Sequence, residues 1–371
     1  DRHPHMVASS CELLGEIIRH GALPYGGGLG VSKPLRLALR GEDIDSLLQN
    51  ADCGLVSALV TGEGDASQHA SLFEQIAFAV ETVVAQNTRC QKFLLKVTDE
   101  GADHDSVCLD AAAELYADMV RRLGSVPSCL AFGADVFVGF MHPSLPVCTR
   151  TCGCGVLSEV LEVIHGDFAP IVPRIFAHKE LLSAIQEQDA DGDPLRRNSM
   201  YLSGLLVQYC PEDIKGHLGK ILDATRWLLD REVHEDLIVD NACSFLAKTV
   251  VSGLLPEKAK GEVIRLLLPL LPLQEDFAEA EPVYSCVLEL ISEGNATLWE
   301  LGSSVLHCFG SVLGHPQAAP LSIRQQMVQA LQFLSSHFPA EFKEMAEGLE
   351  EEVQAQVHRA VAGELSLEES Q

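Results

Sequence analysis

The chain has 371 residues, and its 53 Asp and Glu against 26 Lys and Arg give a formal net charge of −27 at pH 7. That balance excludes a nucleic-acid backbone or an anionic membrane as the main partner, since both would be repelled, and it favours something basic. At 47% hydrophobic and 21% charged the chain is globular, and no stretch reaches 18 uncharged apolar residues, so a membrane span is not expected.

The opening residues, Asp1 to Pro4, hold no initiating Met and start no apolar signal segment, so the sequence reads as a piece of a longer chain. Residues 24–68 are rich in Gly and polar groups and read as an inserted loop between helices. Within them Ser32-Lys33-Pro34 has the wrong order for a phosphate loop, which needs Gly-Lys followed by Ser or Thr. Residues 98–105 form an acidic link between helices. Beyond it, Ala112, Leu115, Tyr116, Met119 and Val120 recur at helical spacing, as do Val239, Ala242, Leu246 and Val250. Helix punctuation falls at Gly166-Asp167, Asp191 to Pro194, Gly253 to Pro256, Gly294-Asn295 and Gly314 to Pro316. Strand alternation does not persist. The reading is an all-α chain of roughly fifteen helices, about 14 to 22 residues each, ending in a polar tail over 363–371.

The twelve cysteines are scattered. Cys108, Cys129, Cys210, Cys243, Cys286 and Cys308 sit among apolar neighbours, where a thiol acts as a small core residue. The cluster Cys148, Cys152 and Cys154 lacks both a CxxC pair and a nearby His, so it reads as packing thiols and no metal is expected. The usage is that of a reducing compartment. No nucleophile elbow, zinc-protease helix or kinase set occurs, and the His residues are dispersed. No enzyme and no cofactor are expected.

Internal repetition is more informative. Asn198 and Asn241 open two similar helices and stand 43 residues apart; the same step reaches Tyr284 and then Met327, each in a segment of the same apolar rhythm. Other helices lie between, over 214–229, 258–271 and 295–313. A helix pair repeating at this interval is the HEAT or armadillo pattern, an α-solenoid in which each pair buries its apolar face against the next. About seven such repeats would account for the whole chain.

From Leu266 to Ile323 there is no Lys or Arg, while Glu275, Asp276, Glu279, Glu281, Glu289, Glu293 and Glu300 all fall there. Asp236 and Asp240, one turn apart, are expected to share the outer face of their helix. Stacked second helices would then align carboxylates into an acidic strip for a Lys/Arg-rich segment; solubility is the bland alternative. Asn198 and Asn241 sit at one repeat phase, and a carboxamide can pair with both the N–H and the C=O of an extended peptide, or stabilise a local turn. Tyr201 offers a flat surface to the stem of a Lys.

These residues resemble the importin-β-like karyopherins. Asp193 to Ser199 and Val239 to Ala242 look like second-helix openings of that family, and Leu266 to Asp276 looks like the segment that follows them in the C-terminal part of such receptors. Thr88 to Gln91, Phe137 to Met141 and Cys148 to Gly153 agree in order, so the likeness runs over roughly 69 to 335. The resemblance implies a nuclear import receptor shuttling between cytoplasm and nucleus, which carries basic cargo such as core histones and ribosomal proteins. In the family, Ran and nucleoporin repeats are also engaged, Ran mainly by N-terminal repeats absent here. It assigns Asn198 and Asn241 to cargo backbone, and Asp193, Asp236, Asp240 and Glu281 to cargo Lys and Arg. A HEAT scaffold without transport activity is the alternative.

Overall fold

The computed structural model describes residues 137–231 and 235–365, together with Ala113, Glu114, Tyr116, Ala117, Val120 and Leu367. The Gly-rich stretch 24–68, the acidic link 98–105, Cys108 and Cys129 lie outside the described residues. The chain divides into two compact units, Asp1–Asn198 and Ser199–Gln371. Among the described residues every regular element is helical.

In the first unit, α1 (Val147–Ile164) buries Leu157, Val160, Leu161 and Ile164 on one side. Gly153 lets it approach the turn that carries Phe137: a Cβ there would lie 2.8 Å from the Phe137 carbonyl oxygen. After α1 the chain runs as a series of short pieces. A 3-10 stretch His165–Ile171 contains Pro170, and α2 (Val172–Ile175) and α3 (Glu180–Ile185) follow. Pro170 and Pro173 donate no N–H, so an unbroken ladder cannot form through them. Helix α4 is Asp193–Tyr209.

The second unit continues with α5 (Pro211–Ile214), α6 (Leu218–Leu229), α7 (Asp236–Val251), α8 (Glu257–Leu267) and α9 (Ala280–Ser292). Then come α10 (Ala296–Glu300), α11 (Gly302–Gly314), α12 (Leu321–His337), α13 (Pro339–Ala346) and α14 (Glu351–Ala362). Helices α7, α9, α12 and α14 pack side by side as one layer; α8 packs on α10, and α11 on α13, in the other. The helices at 258–271 and 295–313 differ from expectation at two points. Pro269 tightens the end of α8 into a 3-10 turn over Leu268–Leu270, and a break at Leu301 separates α10 from α11.

Three of the four positions in the 43-residue register are buried, and Asn198 is half-buried. Asn241 is 2% exposed, and Tyr284 and Met327 are 0%. The phase that recurs is therefore the core phase, the position every repeat must fill to cover its neighbour. Punctuation holds as well. After α9, Gly294 takes φ 65°, and the N–H groups of Gly294 and Asn295 donate to the carbonyls of Ile291 and Leu290, the paired bonds of a Schellman end. Asn295 then caps α10, its side-chain oxygen accepting from Thr297 and Leu298 N–H.

Helices α11 and α14 meet at a glycine. A Cβ on Gly310 would stand 2.6 Å from Val353 Cγ1 and 2.8 Å from the Val353 carbonyl oxygen. Gly219, in the first turn of α6, has nothing within 4 Å of its Cβ position. Gly310→Ala is expected to lower stability by about 1–3 kcal/mol through overpacking, whereas Gly219→Ala raises it by up to about 1 kcal/mol. Urea unfolding midpoints of the two variants, moving in opposite directions, check this.

Candidate functional site

The first turns of the second helices fasten the loops around them. Asp240, in α7, is 1% exposed. Its carboxylate accepts three successive backbone N–H groups from the loop ahead of α9: Gln274 at 3.1 Å, Glu275 at 2.7 Å and Asp276 at 2.8 Å. Such a run of amides forms a nest for an anion, and here the anion is the protein's own side chain. Asn241 donates to the Leu237 carbonyl at 2.8 Å and to Asp276 Oδ2 at 2.9 Å. Two turns further on, Lys248 Nζ lies 2.7 Å from Glu279 Oε2, which also accepts from Ser244 Oγ. The Lys248 ammonium stands 5.9 Å from the centre of the Tyr201 ring. Of the three neighbouring carboxylates, Glu279 is the one paired with the ammonium. Burial pushes the Asp276 carboxyl above its ordinary range, and the charges of Glu279 and Asp240 add to this against the hydrogen bond from Asn241.

The first unit has its own version. Arg150, 3% exposed, pairs with Glu187 and donates to Ser183 Oγ at 2.9 Å. Arg196 donates to the carbonyls of Glu187 at 2.7 Å and Asp189 at 3.0 Å, and to Asp193 Oδ1. Burial raises the Glu187 carboxyl, but the N–H groups of Asp189 and Gln188 together with the Arg150 guanidinium outweigh it and hold the group below the usual carboxylate range. The two carboxylates therefore have opposite linkage. Glu187 contributes stability above the unfolded carboxylate pKa and loses it as acid takes the pH through its lowered value. Ionised Asp276 costs stability at neutral pH, a cost relieved as the pH falls through its raised value.

These arrangements correct most of the expected peptide contacts. Asp240 does not share the outer face with Asp236: it is turned into the 274–276 loop, while Asp236 is exposed. Asn241 is spent inside the same clip. Asn198 Nδ2 donates to the Thr151 carbonyl at 3.3 Å, so its amide also serves the fold. Asp193 is compensated by Arg196, and Tyr201 faces a lysine of its own chain. Asp236 and Glu281 remain exposed, on the first turns of two adjacent helices, with Glu235 and Glu275 exposed nearby in sequence. The continuous strip of carboxylates thus reduces to these groups and Glu289. Asp193 and Asn198 belong to the first unit, the other five candidates to the second.

Sequence reasoning missed Lys248 and Glu279. The signal was present: a single cation inside the apolar run Phe245 to Val251 requires a buried partner. Cationic residues between 199 and 337 are in fact segregated. Lys248 and Arg324, on second helices, are 7% and 1% exposed, and every other Lys and Arg there sits on or beside α5, α6 and α8. Four of these form ion pairs: Lys215 with Glu212 and Arg226 with Glu262 at 3.5 Å each, Lys260 with Glu293 at 3.1 Å and Arg265 with Glu300 at 2.7 Å. Cys154 and Cys286 are thiols buried in the packing, each pushed up by burial to about 12. Among the described residues no group of three or more His, Cys, Asp or Glu is placed to hold a metal ion, and no helix is long and apolar enough to cross a membrane.

No family model matches the chain. A probable importin subunit beta-4 of Schizosaccharomyces pombe is 23% identical to it over 244 residues, 64% of this chain and 22% of that protein. Two crystal structures of importin beta, one from a polyethylene glycol condition and one from an ammonium sulfate condition, align with TM-scores of 0.55 and 0.56 at 12% and 11% identity. Each alignment covers 97% of this chain, and 48% and 46% of the importin beta chains. The chain thus spans about a fifth of its curated relative and about half of the solved structures. It is similar in sequence to an importin subunit, and its fold, built from HEAT-type helix pairs, is that of the importin beta structures.

Proposed function

We propose that this chain is a cargo-holding segment of a nuclear import receptor that shuttles between cytoplasm and nucleus. Its cargo is basic, of the kind offered by core histones and ribosomal proteins. One observation carries the reading: between residues 199 and 337 the exposed cations lie on the first-helix side, leaving Asp236, Glu275, Glu281 and Glu289 uncompensated on and beside the second helices. A surface of one sign attracts a segment of the other and speeds its encounter, with strong sensitivity to salt. In the complete receptor, Ran and nucleoporin repeats act chiefly through repeats outside this chain.

The test is a titration of the chain with a fluorescent Lys/Arg-rich histone-tail peptide. Binding is expected at low salt, weakening steeply as salt is added. Asp236→Lys with Glu281→Lys should weaken it by roughly tenfold at low salt. Absence of binding at low salt, or indifference to the double charge reversal, rules the reading out.

A further inference from the structure

The first unit brings two imidazoles together from separate turns. His142 lies ahead of α1, where its N–H donates to the Gly139 carbonyl at 3.2 Å and its own carbonyl accepts from Leu145 N–H at 3.0 Å. His178 lies just ahead of α3. Their ring centres are 5.8 Å apart with the planes inclined at 54°, and both residues are exposed. Glu180 fixes the second ring. It is 3% exposed, and its carboxylate accepts from the His178 N–H at 2.8 Å and lies 3.1 Å from His178 Nδ1. A carboxylate only accepts, so that Nδ1 carries the proton and Nε2 keeps its lone pair. Lys179, between the two, takes φ 64°, a left-handed conformation that a residue with a Cβ rarely adopts and that turns Glu180 back onto His178. At His142 the Ser144 hydroxyl, 2.8 Å from Nδ1, can accept from a protonated Nδ1 in the same way, while the exposed Ser144 N–H, 3.2 Å from that atom, can turn to water. Among the described residues neither Nε2 has a partner.

A buried carboxylate behind one ring nitrogen and a lone pair on the other is the arrangement that orients a histidine on a metal ion. A zinc-class ion sits about 2.0–2.1 Å from a ring nitrogen, and so roughly 3 Å from the ring centre. Two imidazoles sharing such an ion at a tetrahedral angle have centres about 5 Å apart, rising to about 6 Å as the angle opens. The spacing of His142 and His178 falls in that range, and exposed rings can turn their Nε2 atoms to a common point. Imidazole nitrogen selects zinc, copper and nickel over the oxygen-seeking magnesium and calcium. We propose that His142 and His178 bind one divalent ion of the zinc class, with Glu180 orienting His178 and water completing the coordination. The ion then ties the turn ahead of α1 to the turn ahead of α3.

The experiment titrates the whole chain with Zn(II) and maps the imidazoles that the ion covers by diethyl pyrocarbonate labelling and mass spectrometry. Zn(II) should shield His142 and His178 over the same concentration range, and a roughly thousandfold excess of Mg(II) should not displace it. His142→Ala and His178→Ala, both at exposed positions, should keep the fold by circular dichroism. Each should raise the Zn(II) concentration needed to shield the surviving ring by at least about tenfold. Glu180→Gln preserves the shape and an acceptor for His178 but removes the charge behind the ring, and should raise that concentration by roughly tenfold for both rings. His315→Ala, in the second unit, should leave the shielding of both unchanged. If Zn(II) shields neither ring, or only one of them, or if His142→Ala leaves the shielding of His178 unchanged, the shared site is overturned. An unchanged concentration in Glu180→Gln overturns the orienting role of that carboxylate.

Discussion

Lys248→Met is expected to lower the stability of the second unit by about 3–5 kcal/mol, because it strands a buried carboxylate. The Lys248 and Glu279 side chains are 8% and 10% exposed and 2.7 Å apart. With the ammonium gone, Glu279 keeps Ser244 Oγ as a donor but faces Asp276 without a counter-charge. Packing is not the cause. Met nearly matches the Lys stem, which passes Gly204 without crowding: even a Cβ on that glycine would stand 3.4 Å from Lys248 Cδ. The double variant Lys248→Met/Glu279→Gln removes both charges and retains an amide for Ser244, so it should recover to within about 1–2 kcal/mol of the parent. Urea unfolding of the single and double variants measures the coupling. If the double variant is as unstable as Lys248→Met alone, the pair is not what holds the α7–α9 junction.

How far the sequence revealed this arrangement depends on what a pattern encodes. Apolar spacing reports the angle of a residue about its helix axis, so the helix pairs and their 43-residue register were legible, and Tyr284 and Met327 are indeed core. Gly294 and Asn295 were legible because a left-handed residue and an N-cap are local needs. Depth along the axis is not encoded in that way. Asp236 and Asp240 lie within about 40° of each other around α7, yet the first begins the helix and projects from it, while the second, one turn in, meets the 274–276 loop. The same loss affected Asn241, whose partner Asp276 is 35 residues away and reached only through the fold. Acid-rich composition was a sound guide to overall charge, but it could not show which carboxylates were already engaged.

Asp240→Ala should cost about 2–4 kcal/mol and release the 274–276 loop, while Asp236→Asn, one turn away, should change stability by less than about 0.5 kcal/mol. The Asp240 carboxylate receives Gln274, Glu275 and Asp276 N–H groups, and bonds to an ionised acceptor exceed the neutral average. Gln274 and Glu275 are themselves exposed, so their N–H groups can turn to water once freed, which keeps the loss below the sum of three such bonds. Asp240→Asn should be nearly as harmful as the Ala change, since an amide brings its own donors to a site that supplies only donors. Hydrogen exchange gives the local readout: the amides of residues 274–276 should lose protection in both Asp240 variants and keep it in Asp236→Asn. Removing the Asp240 charge should also let the Asp276 carboxyl fall back toward its ordinary range, because that charge is one of those raising it. Unchanged protection at 274–276 in Asp240→Ala would mean that the loop is held by its apolar contacts and that the carboxylate is incidental.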